Sequence, residues 1–418
     1  MKYILRRMKI WDTNSAYHLQ TLDILVSDGV IIDIARNIKS NDGVELISDK
    51  NISLGWVDSY CHFGDPGYEH RETIASGCAA AASGGFTHVF IAPNTHPAIQ
   101  SKSQIEYINT LSSSEVVQLH PIAAVTQHSA GKELTEIYDM YNAGAIAFGD
   151  GNQSIQDAGM MLRLLQYIKP LDVPLYNIPY TLSLAESGMM HESSYNVSLG
   201  MKGIPELAET IMLQRDIELL NYTQSRLHIP LVTSATAINF IHNAKKRNLK
   251  ISAAIGINYT LFTDQDLINF DSNYKVFPPY RSKEDASRLI QSLQDGTIDM
   301  ICTAHQPCSI EEKNVEFEYA LEGTLSLSTA FAVWLLQSNN DIVTWIRSVC
   351  ENPRKLLLKN TTKIAVGEKL DVTIFDENKE WLFDANSNKS LSKNTPLFGQ
   401  KLKGQANMVI VGNNIIKN

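Results

Sequence analysis

Residues 52–93 read ISLGWVDSYCHFGDPGYEHRETIASGCAAAASGGFTHVFIAP. The stretch opens on an apolar run, ISLGWVDSYC (52–61), and breaks into polar and turn residues. It recovers as a small-residue helical pattern, ETIASGCAAAASGG (72–85), and returns to a second apolar run, HVFIAP (88–93). Neither apolar run alternates. Strands buried on both faces have that texture, because helices cover a parallel sheet on each side. Gly84-Gly85 supplies the residue type that ends a helix. Strand, helix, strand is the building unit of a parallel α/β sheet.

The unit repeats. VQLHPIAAV (117–125), AIAFGD (145–150), VPLYNIP (173–179), HIPLVTS (228–234), KISAAIGIN (250–258) and DMICTAH (299–305) bring the apolar runs to eight. Helical patterns lie between them at 157–170, 206–223 and 235–248, while 259–281 reads mostly as loop. Eight such units predict a (β/α)8 TIM barrel. The two ends of the chain differ. DILVSDGVIIDI (23–34) sets Asp28-Gly29 between two Val/Ile-rich runs, a hairpin signal because the tight turn needs positive φ. KLDVTIFD (369–376) and ANMVIVGNNIIKN (406–418), the latter turning at Gly412-Asn413, share that texture. The expected fold is α/β: a barrel over 55–363, with a small β-sandwich domain built from both termini, 1–54 plus 364–418.

Composition sets outer bounds. Of 418 residues, 44% are hydrophobic and 19% charged, ordinary for a globular chain. The net charge is −9 and no basic stripe appears, so nucleic acid is not an expected partner. No apolar run approaches the ~18 residues of a membrane span, and MKYILRRMKIW is too short and charged for a signal peptide. Five cysteines, an odd number without a disulfide framework, point to the cytoplasm.

Barrel chemistry sits at the C-terminal ends of the strands. Here those ends carry Tyr60, Cys61 and His62; Pro93, Asn94 and Thr95; Asp150; Ile178, Pro179 and Tyr180; Leu231 to Ser234; Asn258 and Tyr259; and Thr303, Ala304 and His305. A catalytic zinc needs three or more N, O or S ligands converging on one point. Two imidazoles and one carboxylate are a poor inventory. His62 reads as a hydrogen-bonded strand-end histidine with a residual ligand role. Asp150 reads as a turn or cap acid opening the next helix. Cys302, His305 and Cys308 form C-x2-H-x2-C, but residues 302 and 305 of a strand face opposite ways.

Several stretches carry a family resemblance. VDSYCHFGDPGYEHRET (57–73) resembles V-D-x-H-x-H-x-R-x-P-G-x-E-x-K-E-T, and APNTHP (92–97) resembles P-N-T-x-P. KVFPPYRSKED (275–285) resembles K-V-N-P-P-L-R-x-x-x-D. GTIDMICTAHQPCSIEEK (296–313) resembles G-x-I-D-x-I-A-T-D-H-A-P-H-x-x-x-E-K, and NTPLFGQKLKG (394–404) matches a C-terminal tail. Together they resemble a class I dihydroorotase of the amidohydrolase superfamily over nearly the whole chain. The resemblance implies a zinc-dependent hydrolase, with Asn94 as a substrate contact. The departures fall at the chemistry. Tyr60, Ile178 and Leu231 stand for metal-binding histidines, and Ala304 stands for the catalytic aspartate. Gly64 and Cys308 replace an arginine and a histidine that hold the substrate carboxylate, and Phe277 replaces an asparagine. The family's paired acids after strand four reduce to Asp150 followed by Gly151.

Zinc hydrolysis needs a metal that lowers the pKa of bound water and a base that shuttles its proton. With Ala304 the base is missing, and no cofactor is expected. Three readings are therefore open. The first is a non-catalytic dihydroorotase-like protein of pyrimidine biosynthesis, forming a homo-oligomer, a dimer by commonest symmetry, and partnering aspartate transcarbamoylase. The second is an active cyclic-amide hydrolase with a remodelled metal site. The third is a small-molecule sensor.

Overall fold

The computed structural model describes residues 2–39, 43–360 and 362–418. Residues 1, 40–42 and 361, which fall inside the expected domain ranges, lie outside the described set. Eight parallel strands form one sheet: Trp56–Cys61, Phe86–Ile91, Gln118–Ala123, Ala147–Phe148, Leu175–Tyr176, Leu227–Ile229, Ile251–Gly256 and Met300–Cys302. Each pairs with the next in chain order. The sheet closes where Ala304 N donates to Tyr60 O at 3.1 Å and His62 N donates to His305 O at 2.7 Å. The barrel is thus completed at the rim, by the loops that hold the candidate site.

Local chemistry explains the units. The first helix, Ile74–Ser83, starts in a capping box between Thr73 and Ser76, and Gly85 follows it at φ +91°. Asp157 and Ser234 cap the helices Ala158–Ile168 and Ala235–Lys246. The seventh strand is followed by 3-10 turns from Ile257 to Tyr274, which accounts for the loop-like sequence there. The helix of that unit, Lys283–Gln294, comes after them and carries its own Ser282 capping box.

The termini share a second sheet. Its order runs Asn414–Lys417, Lys401–Val411, Asp371–Leu382, Asn51–Leu54, Lys2–Trp11, Thr21–Ser27, Val30–Ala35, with Val44–Ser48 also paired to Lys2–Trp11. The apolar run 52–61 is therefore not one barrel strand. It splits at Gly55, where the chain leaves the terminal sheet and enters the barrel. A Cβ at Gly55 would lie 2.0 Å from Thr87 Oγ1 and 2.3 Å from Asp371 Oδ1, so only glycine passes. Asp28-Gly29 and Gly412-Asn413 both form the expected turns, with Ser27 paired to Val30 and Val411 to Asn414. Trp56 fills the seam between the sheets, against Trp345 at 5.1 Å and Phe375 at 5.6 Å between ring centroids.

Candidate functional site

The rim is tied together by uncharged side chains. Tyr60 points its hydroxyl at Asn152 Oδ1, 2.9 Å away, and its ring meets His62 edge-on. Asn152 Nδ2 donates to Gln306 Oε1 at 3.1 Å, and Gln306 Nε2 donates to the Glu322 carbonyl at 2.8 Å. Phenol and amides thus join the ends of strands one, four and eight. Burial pushes the His62 imidazole down to about 4, against an opposing hydrogen bond with Asn152, so the ring is neutral near pH 7.

The other strand ends are committed elsewhere. Asp150 opens a turn, with Gln153 N donating to Asp150 O at 3.1 Å, but its side chain caps no helix. Its carboxylate accepts from Val125 N at 2.9 Å, Thr126 N at 3.0 Å and the Thr126 hydroxyl, stitching strand four to strand three. Burial nevertheless raises its pKa to about 6. The following helix is capped by Asp157 instead. Asn94 spends its amide on the same loop, donating to Asp150 O at 3.2 Å and accepting from Asn152 N at 2.9 Å. A Cβ at Gly151 would lie 1.9 Å from Asn94 Oδ1, so an acid there has no room.

Ile178 and Leu231 are buried in the apolar core. Ala304 packs against that core with φ +51°, a left-handed conformation that aspartate and asparagine adopt more readily than alanine. Beside it, Thr303 donates its N–H to Asp58 Oδ1 at 2.8 Å, and burial raises the Asp58 pKa to about 7. His228 lies inside the barrel, with Nδ1 2.9 Å from Ser252 Oγ, and burial takes it down to about 3. Cys302, His305 and Cys308 do not converge. Cys302 Sγ donates to Pro230 O at 3.2 Å, His305 Nδ1 accepts from Ser326 N at 3.2 Å, and Cys308 Sγ donates to Glu322 O at 3.5 Å.

Gly64 is sterically fixed. A Cβ there would lie 2.1 Å from Tyr68 O and 2.6 Å from Glu72 O, because the 64–72 loop folds back on itself through Tyr68 N to Gly64 O and Gly64 N to Glu72 O. The nearby cation is Arg71, which donates to Glu312 through Nε at 2.9 Å and Nη2 at 2.5 Å and stacks over Tyr68. Phe277 packs against Tyr180, with ring centroids 4.6 Å apart. Cys308 is buried, its N–H held by Asn394 of the C-terminal tail at 3.0 Å.

Above these groups lies an open cavity of about 390 Å³, bordered by His62, Asn94, Asn152, Gln306, Arg71 and the rings of Phe63, Tyr68 and Phe277. Among the described residues, no three His, Cys, Asp or Glu side chains gather to hold a metal ion. One neutral imidazole, with Asp150 turned to the backbone, does not match the ligand set that a catalytic zinc needs. Sequence reading missed Asn152, Gln306 and Arg71. Asn152 and Gln306 lie within two positions of Asp150 and His305, but nothing in an amide's identity marks it before its partners are known.

Barrel, terminal sheet and rim pocket together define the amidohydrolase architecture of hydantoinases and dihydroorotases. The chain belongs to the dihydroorotase-like family. Residues 50–237 match the family model described as Dihydro-orotase-like. The dihydroorotase of Acetivibrio thermocellus is 37% identical over 401 residues, covering 94% of each chain. That of Syntrophus aciditrophicus is 37% identical over 423 residues, covering 100% of this chain and 99% of its own. Among solved structures, the L-hydantoinase (dihydropyrimidinase) of Arthrobacter aurescens superposes with a TM-score of 0.87 at 22% identity, covering 100% of this chain and 96% of the other. The dihydropyrimidinase of Brevibacillus agri gives 0.84 at 16%, covering 100% and 95%. At those identities the structures speak for the fold alone. Among the described residues, no helix is long and apolar enough to cross a membrane.

Proposed function

We propose that this dihydroorotase-like protein is non-catalytic and serves pyrimidine metabolism as a structural or regulatory partner. The observation that carries the reading is the Tyr60–Asn152–Gln306 chain. Uncharged groups, already bonded to one another, occupy the rim where the resemblance places metal ligands, and Ala304 offers no base. Converting imidazoles to packed apolar residues at 178 and 231 also removes the cost of burying unpaired polar groups. Residues 1–54 with 364–418, and 55–363, are the two units of this scaffold. Its outer helices and terminal sheet are the surfaces left for association, as a homodimer and with aspartate transcarbamoylase.

Metal analysis and a carbamoyl aspartate cyclisation assay on the purified chain test the reading. Well under one zinc per chain and no turnover above background are expected. Stoichiometric zinc, or turnover that disappears when His62 is replaced, would establish the competing reading of a rebuilt hydrolase, which the names of the dihydroorotase relatives favour. Mass measurement in solution and co-purification from native extract test the association. A strictly monomeric chain that brings down no transcarbamoylase removes it.

A further inference from the structure

The rim pocket is roomy and lined mostly by uncharged groups. At about 390 Å³ it holds a molecule of one or two rings. Four side-chain amides border it, those of Asn94, Asn152, Gln153 and Gln306. Asn94 and Gln306 each spend one N–H and one lone pair on the protein, whereas Asn152 bonds Tyr60, Gln306 and His62. A side-chain amide has two of each, so one N–H and one lone pair remain on Asn94 and on Gln306, and one N–H on Asn152. The rings of Phe63, Tyr68 and Phe277 supply flat apolar walls.

Charge in the lining cancels. Arg71 is its cation and Glu322 its anion, and Arg71 already spends two nitrogens on Glu312. An arginine at position 64, the family's means of holding a carboxylate, has no space. A carboxylated ligand would therefore lose water without gaining an uncommitted cation, and a charge desolvated without a partner is strongly disfavoured. An uncharged ring carrying adjacent N–H and C=O groups meets donors and acceptors of matching kind.

We propose that the rim pocket binds an uncharged planar ring amide of nucleobase to nucleoside size and rejects the carboxylated form of the same ring. The proposal rests on the non-catalytic reading of the rim and extends it to a ligand.

Uracil, uridine and orotate are suitable probes, because uracil and orotate share a ring and differ by a carboxylate. Calorimetric titration of the full chain near pH 7 should show uracil or uridine binding at least about tenfold more tightly than orotate. Gln306→Ala and Asn152→Ala should each weaken that binding about two- to tenfold, the range of one lost neutral hydrogen bond. The melting temperature of each unliganded variant reports whether it has folded, and Tyr60→Phe supplies a milder third variant that keeps the ring. Orotate binding as tightly as uracil overturns the proposal, as does absence of binding by both neutral probes. Orotate binding accompanied by turnover of carbamoyl aspartate overturns the non-catalytic reading as well, whereas silence of all probes without turnover removes only the ligand.

Discussion

At the residue scale, the substitutions at the rim are not simple losses that could be reversed one at a time. Gly64 shows why. The loop from 64 to 72 has closed until Tyr68 O and Glu72 O stand within 2.6 Å of where any Cβ would go. Gly64→Arg is thus expected to destabilise the fold by about 3 kcal/mol, the upper range for forcing atoms into a packed site. Urea denaturation measures it, and an unchanged midpoint would show that the loop opens freely. Reverting Tyr60, Gly64, Ile178, Leu231 and Ala304 together meets this obstacle first, and Gly151, Phe277 and Cys308 remain. The sequence marked His62 and Asn94, which border the cavity, and showed most of the rest only as absences. Tyr60, Ile178, Leu231 and Ala304 stand out because histidine or aspartate belongs to the motifs around them. Asn152 and Gln306 do not, because their meaning lies in a contact between residues 154 positions apart. Asp150 was legible in part: it opens a turn, with Gln153 N donating to Asp150 O at 3.1 Å, but its side chain caps no helix. An acid before a helix suggests a cap, and only the register of strands three and four shows that its partners are Val125 and Thr126.

At the scale of elements, periodicity located the eight barrel strands and both terminal hairpins, since burial on two faces and a glycine turn each leave a local mark. The crossing at Gly55 left none: the run 52–61 is apolar throughout, yet serves two sheets. The C-terminal tail was equally silent about its job. Residues 390–394 run across the barrel top, with Leu391 N donating to Glu72 Oε1 at 3.2 Å and the Ser390 hydroxyl to Glu72 Oε2. Asn394 then holds the loop after strand eight through Cys308 N and Gln306 O, each at 3.0 Å. Glu72 is fully buried, so removing its carboxylate leaves these donors without a partner. Glu72→Ala is expected to raise amide exchange at Leu391 about tenfold or more, reflecting local opening of the strap. Unchanged exchange there, with the barrel amides equally protected, would show that the tail is held by its packing instead.

At the scale of the whole molecule, the buried titratable groups oppose one another in pH. His228 is driven to about 3 by burial, with Lys245 adding to the shift, and His120 to about 3 by burial beside His88, Arg354 and Asp371. A histidine whose folded pKa is depressed binds its proton more readily when unfolded. It takes stability away as pH falls below about 6.5. Asp58 is raised to about 7 by burial, despite its bonds to Thr303. The folded chain binds that proton first, so Asp58 adds stability over the same fall in pH. Between pH 7 and 5 the three strongly depressed histidines His62, His120 and His228 together take away about 6 kcal/mol, and the three strongly raised acids Asp58, Asp150 and Asp216 together add about 5 kcal/mol. The native chain is therefore expected to show a shallow acid limb, although its individual groups are strongly shifted. Replacing one group exposes its own contribution. The difference in unfolding free energy between pH 5 and pH 7 should rise by about 2 kcal/mol in His228→Asn and fall by about 2 kcal/mol in Asp58→Asn. Because each variant is compared with itself at two pH values, a general loss of stability cancels. Denaturant titrations at the two pH values measure both differences. If the two variants moved the same way, at least one assignment would fail, since a depressed imidazole and a raised carboxylate cannot share a sign.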